Sequence, residues 1–194
     1  KKGFFIRELN FSHGDKIIFK NASFDLPKNT ISILYGPSGS GKSTVSDLIA
    51  RLYDSSSESI FIDNTVASSL NIKEWRRFIG YVASEPILFS GSIKENIILN
   101  NYDTPLEEIN KAIDLSGAKS FIDSLEKNIE TNLTDRGRNL SAGQRFRIAI
   151  ARSLLRKPDL LILDETLDRL EQSLANKLIK DLSKIKNLTV LIIS

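Results

Sequence analysis

The run Gly36-Pro37-Ser38-Gly39-Ser40-Gly41-Lys42-Ser43-Thr44 constrains this chain more than any other segment, because it fits G-x-x-x-x-G-K-[ST]. An apolar stretch, Thr30 to Tyr35, precedes it and reads as a buried strand. Val45, Leu48, Ile49 and Leu52 follow it and fall on one side of a helix. That strand–loop–helix context separates a phosphate-binding loop from a Gly/Ser-rich turn that happens to hold a lysine. Gly36, Gly39 and Gly41 let the backbone curl so that its N–H groups meet phosphate oxygens, and the helix N-terminus adds partial positive charge. In such a loop Lys42 reaches the β- and γ-phosphates and the Ser43 hydroxyl ligates Mg²⁺. Pro37, Ser38, Ser40 and Thr44 complete the set of nucleotide-binding candidates.

Composition removes much of the competing chemistry. The 194-residue chain has no Cys and a single His, His13. That excludes disulfides, Cys-ligated zinc, iron–sulfur clusters, thiol nucleophiles and any site needing two imidazoles. Twenty-seven basic and 24 acidic residues leave a net charge of +3, with the signs interspersed as around Arg76-Arg77. No basic stripe is present, so no nucleic-acid partner is expected. No apolar run approaches the roughly 18–20 residues that span a bilayer, and the N-terminus lacks a secretory pattern. The chain begins at Lys1 without Met and ends at Ser194 inside a predicted strand, so a fragment of a longer protein is expected.

Strand patterns and turns fill residues 3–35: Phe4 to Ile6, Asn10 to Ser12, a His13-Gly14-Asp15 turn, Ile17 to Phe19, and Ala22 to Leu26 before Pro27. Ser55-Ser56-Ser57 reads as a polar loop ahead of strand Ile60 to Ile62, and Ile79 to Val82 as another short strand. Leu106, Ile109 and Ile113, then Phe121, Ile122 and Leu125, give helical spacing from Pro105 to about Leu125. A helix from Ser141 to about Leu155, strand Leu160 to Leu163, helix Leu170 to Leu182 and strand Leu188 to Ile193 close the chain. The expected fold class is α/β: a P-loop NTPase core with a mixed sheet, an N-terminal antiparallel β part and an inserted α-helical subdomain. Residues 1–83 and 146–194 are expected to form the core and 84–145 the helical subdomain.

Two further motifs carry chemistry. Leu160-Leu161-Ile162-Leu163-Asp164-Glu165 is an apolar strand ending in two carboxylates. By itself that describes any strand meeting solvent; beside a phosphate loop, Asp164 suits Mg²⁺ held through water and Glu165 suits a general base for an attacking water. Leu140-Ser141-Ala142-Gly143-Gln144 opens a helix with Ser141 as its N-cap. Such a start is either an ordinary capped helix or a second anion site, since its free N–H groups and dipole favour negative charge.

Taken together, these residues resemble the ATP-binding domain of ABC transporters over essentially the whole chain. Leu140 to Gln144 is similar to that family's signature motif, with Ala142 in place of the usual central Gly. The spacing from there through Arg145 to Arg152 and Pro158 to Asp164 fits the family without gaps. Ile79 to Val82, Glu85 to Ile97 and Thr134-Asp135-Arg136-Gly137 resemble the exporter branch. The resemblance implies a head-to-tail pair of such domains with two ATPs between them, each held by one phosphate loop and the other copy's Ser141, Ala142, Gly143 and Gln144. It further implies membrane domains as partners, a place at the cytoplasmic face of a membrane, and Mg-ATP hydrolysis with Lys42 and Glu165 as catalytic residues.

Several positions depart from the family pattern. Ser84 stands where a Gln touches Mg²⁺ and the attacking water, and it is shorter. His13 stands where an aromatic stacks on adenine; it reads equally as a turn residue in Ser12-His13-Gly14-Asp15. Thr166 to Glu171 replaces the usual Ser-Ala-Leu-Asp, with Leu170-Glu171 as the ungapped match that keeps the downstream helix in phase or Leu167-Asp168 as the match after a deletion, and the switch His is expected just beyond Ser194. These departures imply tight Mg-ATP binding with slow hydrolysis. They leave open a catalytically weak half of a heterodimer and a soluble, non-transport ABC ATPase. A P-loop kinase is disfavoured because nothing here resembles an acceptor lid.

Overall fold

A computed structural model describes residues 2–53, 57–165 and 167–194, so Ser55 and Ser56 of the expected polar loop, and Thr166, lie outside the described residues. Along the chain run β1 (Gly3–His13), β2 (Lys16–Pro27), β3 (Ile31–Leu34), α1 (Lys42–Ile49), β4 (Ile60–Ile62), β5 (Thr65–Val66), α2 (Ile72–Arg77) and β6 (Ile79–Val82). Then come β7 (Gly91–Ser92), α3 (Ile93–Ile98), α4 (Leu106–Leu115), α5 (Lys119–Asp123), β8 (Asn132–Leu133), α6 (Ala142–Leu155), β9 (Leu160–Asp164), α7 (Gln172–Leu182) and β10 (Thr189–Ile193). The class is the α/β one expected, with an antiparallel N-terminal sheet, a sheet containing parallel strands and a helix-rich remainder. Packing divides the chain into two compact units: Lys1–Tyr81 with Pro158–Asp164 and Ile185–Ser194, and Val82–Lys157 with Glu165–Lys184.

The first unit holds one sheet of order β2-β1-β4-β5 and another of order β3-β10-β9-β6. β1 pairs antiparallel with β2 and β4, and β10 pairs parallel with both β3 and β9. The two segments expected within residues 4–12 are a single strand. Their break is a bulge where the β1–β2 register shifts between Ile6 and Leu9 and Glu8 adopts φ 47°. Phe4, Ile6, Leu9, Leu48, Ile49, Ile60, Trp75, Leu160 and Ile162 make one buried cluster. Trp75 anchors it: the ring is fully buried, lies edge-on to Phe4 and Phe78, and donates Nε1–H to the Ile49 carbonyl at 2.7 Å. α2, which carries it, starts at a capping box in which Asn71 accepts from the Glu74 N–H and Glu74 from the Asn71 N–H.

Two expectations fail here. The run Thr30 to Tyr35 is not buried throughout: Ile33 is 64% and Tyr35 83% exposed. β3 lies at the end of its sheet's strand order, and Tyr35 falls past its last residue, Leu34. Leu52, expected on the buried side of α1, is exposed because the helix ends at Ile49 and Arg51 turns the chain at φ 51°.

The second unit has its own core of Leu88, Ile93, Ile97, Ile109, Ile113, Phe121, Ile122, Leu140 and Ile148. Ser92 and Glu95 cap α3 reciprocally, and Gly91-Ser92 pairs with Asn132-Leu133. Leu106 is exposed rather than core-facing, since it is the first residue of α4 and projects before the packed turns begin. Within this unit Arg152 donates to the carbonyls of Ile87 and Asn96 at 2.8 and 2.7 Å and lies over the Phe89 ring at 5.7 Å. Burial lowers its pKa to about 10. The helical subdomain expected over 84–145 is a narrower segment than this second unit.

Trp75→Ala is expected to reduce unfolding free energy by about 3–5 kcal/mol through lost contacts and a residual cavity. Chemical denaturation measures it, and an unchanged midpoint would contradict the anchoring role.

Candidate functional site

β3 delivers the chain into residues 36–41, and α1 begins at Lys42. Gly39 and Gly41 hold φ 79° and 92°, a left-handed region in which a Cβ is costly. Gly41 is also crowded: a Cβ there would sit 2.8 Å from Ile18 Cγ2 and 3.0 Å from Phe19 Cζ, whereas nothing lies within 4 Å of one at Gly39. Gly41 is the N-cap of α1; no side chain caps that end and its first turn holds no acidic residue. The amides that open α1 are thus not answered by a local side-chain acceptor, which favours an anion there. Lys42 Nζ lies across the loop, donating to the carbonyls of Gly36 at 2.6 Å and Pro37 at 3.1 Å. Pro37, Ser38, Ser40 and Ser43 are exposed, and Gly36, Lys42 and Thr44 are half-buried.

β9 brings in the carboxylate. Asp164 is its last residue and is 3% exposed, yet its Oδ1 lies 3.4 Å from the Ser43 hydroxyl. The structure therefore joins Ser43 to Asp164, which are 121 residues apart. A hydroxyl and one carboxylate oxygen suit a hard cation that completes its shell with phosphate and water oxygens, as Mg²⁺ does. Among the described residues no group of three or more His, Cys, Asp or Glu could hold a metal ion.

Sequence reasoning missed Tyr81 at this site. Its hydroxyl lies 3.3 Å from Asp164 Oδ2 and 3.1 Å from Asp47 Oδ1. Burial pushes the phenol pKa up, with the two carboxylates adding to the shift, so the hydroxyl stays protonated. Asp47 is raised mainly by burial, against the lowering effect of the Tyr81 hydrogen bond. A polar-tipped residue within the otherwise apolar Ile79–Val82 strand was the available signal.

Glu165 follows Asp164, is exposed and adopts φ 48°. His13 is the last residue of β1 rather than part of the turn; it is exposed and meets Tyr53 edge-on at 6.2 Å. Ser84 is half-buried in the loop after β6.

In the second unit, Ser141 caps α6 as expected. Its Oγ accepts from the Gln144 N–H at 3.2 Å, and Gln144 Oε1 accepts from the Ser141 N–H at 2.8 Å. Both polar side chains of the motif are thereby engaged in the capping box. A Cβ at Gly143 would sit 3.3 Å from the Arg169 carbonyl oxygen, which explains a glycine there. Asp135 is exposed in a short 3₁₀ turn whose middle residue, Arg136, is left-handed at φ 56°.

Comparison with known proteins agrees with this geometry. Residues 19–168 match the family described as ABC transporter. The chain is 40% identical over 181 residues to the ATP-dependent permease MDL1 of Candida albicans, covering 91% of this chain and 26% of that protein. It is 39% identical over 175 residues to a putative export ATP-binding/permease protein of Rickettsia conorii, covering 90% of this chain and 30% of that one. Among solved structures, a bacterial Atm1-family ABC exporter with ATP bound matches at TM-score 0.90 and 27% identity, over all of this chain and 34% of the other. The chain thus spans about a third or less of these relatives.

The two loop glycines give a graded stability test. Gly39→Ala is expected to cost about 1 kcal/mol from backbone strain, and Gly41→Ala about 2–4 kcal/mol because overpacking adds to strain. Urea titration reads the difference; equal costs would contradict the close approach of Ile18 and Phe19.

Proposed function

The chain belongs to the ABC transporter family, and on that premise we propose that it binds Mg-ATP and hydrolyses it as the energy-coupling domain of an exporter. The observation that carries this reading is the pairing of Ser43 with Asp164 beneath the uncapped start of α1. In this reading the amides of Gly36 to Thr44 hold the phosphates, and Lys42 exchanges the Gly36 and Pro37 carbonyls for phosphate oxygens. Ser43 and Asp164 hold Mg²⁺, with Ser84 as a third, weaker donor. Held by these residues, the ion would supply positive charge against the negative charge of the phosphates. Glu165 takes a proton from the attacking water. Its exposure and left-handed backbone turn it out of the β9 strand path, which supports that role. His13 stacks on adenine.

Two copies pair head to tail, and Ser141, Ala142, Gly143 and Gln144 of each copy cover the γ-phosphate held by the other. The α6 capping box fixes the conformation of the helix start at which this segment lies. Residues 84–145 serve as the signature subdomain, and within it the Thr134-Asp135-Arg136-Gly137 loop touches the membrane domains of the same transporter. Among the described residues no helix is long and apolar enough to cross a membrane. We place the domain at the cytoplasmic face of a membrane, supplied with its anchor by those partners. A second reading, a catalytically weak half of a heterodimer, draws on Ser84 and Ala142, while Glu165 speaks against it. Single-turnover hydrolysis separates the two.

ATP titration is expected to give affinity in the micromolar range, falling about a hundredfold in Lys42→Ala as charge-assisted phosphate contacts are lost. Unchanged affinity would remove the phosphate-loop assignment. Glu165→Gln is expected to slow hydrolysis by about 10²–10⁴-fold, the usual worth of a general base, while raising the ATP-bound dimer fraction on a sizing column. Unaltered turnover in that variant would exclude Glu165 as the base.

A further inference from the structure

Three side chains of the first unit meet where the phosphate loop, β6 and β9 converge. Asp164 splits its carboxylate, with Oδ1 at 3.4 Å from the Ser43 hydroxyl and Oδ2 at 3.3 Å from the Tyr81 hydroxyl. Asp47 sits four residues beyond Ser43 in α1, one helical turn along the same face, and its Oδ1 is 3.1 Å from that same phenol oxygen. Two carboxylates therefore converge on a hydroxyl that carries one proton, and a phenol can donate to only one of them at a time. Without that proton between them, two partly desolvated like charges would repel and turn Asp164 away from Ser43.

We propose that Tyr81 is a positioning residue for the metal end of the nucleotide site: its hydroxyl, shared between Asp47 and Asp164, holds Asp164 so that the opposite carboxylate oxygen faces the cation beside Ser43. The proposal rests on the Mg-ATP reading above and deepens it by adding two residues outside the loop motif. Carboxylates that ligate metals are oriented by the hydrogen bonds made to their remaining oxygen. The phenol suits this task. Its hydroxyl reaches both carboxylates, and its ring packs against the buried cluster that includes Leu48 and Ile79. With the hydroxyl donated to Asp164 Oδ2, Oδ1 would stay directed at the cation position beside Ser43, while Asp47 Oδ1 remains 3.1 Å from the same phenol oxygen. Ser46 completes the surroundings of the phenol and donates its own hydroxyl to the Ser43 carbonyl at 2.7 Å, tying the start of α1 to the same cluster.

The test uses the 194-residue chain and compares ATP affinity in EDTA with that in saturating Mg²⁺, the ratio being the metal's contribution. Tyr81→Phe keeps the ring and its packing. It is expected to leave affinity in EDTA within about twofold and to cut the Mg²⁺ contribution about tenfold, the usual cost of losing a partner behind a metal ligand. Asp47→Asn, added to Tyr81→Phe, is expected to recover part of that loss, because it removes the carboxylate the hydroxyl had kept apart. A Mg²⁺ contribution unchanged by Tyr81→Phe overturns the proposal, and so does equal weakening with and without Mg²⁺, or a further loss on adding Asp47→Asn. Absence of ATP binding in the unsubstituted chain would instead overturn the nucleotide reading on which the proposal rests.

Discussion

The nucleotide end of this fold depends on a backbone constraint: the chain must leave β3 and enter α1 through left-handed conformations at Gly39 and Gly41. Only glycine takes them without strain, and at Gly41 the close approach of Ile18 and Phe19 forbids a side chain as well. With that turn made, α1 begins with no side chain competing for its first amides, and Lys42 lies across the mouth of the loop. The β2 strand that supplies Ile18 and Phe19 thereby shapes the loop from outside the motif, so the N-terminal sheet supports the turn into α1.

A second constraint concerns negative charge. Asp164 is buried at the end of a wholly apolar strand and must be stabilised by neighbours rather than by water. Ser43 and Tyr81 both lie within reach of it, one on each carboxylate oxygen. Glu165 follows directly but is exposed, so adjacent carboxylates meet different surroundings. That contrast suits one to hold a cation and the other to handle a proton. In the second unit the same economy of parts recurs as capping boxes, where Ser92 with Glu95 and Ser141 with Gln144 satisfy helix starts reciprocally.

What was legible in the sequence was local. The glycine-rich turn into α1, the apolar strand ending at Asp164 and the Ser141 cap are each encoded within a few consecutive residues, and the structure forms each where the pattern lies. What was not legible depended on distant parts of the chain. Tyr81 reaches Asp47 across 34 residues and Asp164 across 83, and no spacing rule announces such a meeting. Ile33 and Tyr35 are exposed although they belong to an apolar run, and the run does not reveal that β3 lies at the end of its strand order and stops at Leu34. Leu52 kept its helical phase in the sequence but lost it where Arg51 turns left-handed. The β1 bulge split one strand into two apparent ones for the same reason, a local backbone choice stabilised by the partner strand.

The central claim is that ATP is held by the backbone of residues 36–44, and amide hydrogen exchange measures that backbone directly. With Mg-ATP added to the 194-residue chain, the account predicts slowed exchange concentrated at Gly39 to Thr44. Unslowed exchange across that segment, with protection elsewhere or nowhere, would contradict it.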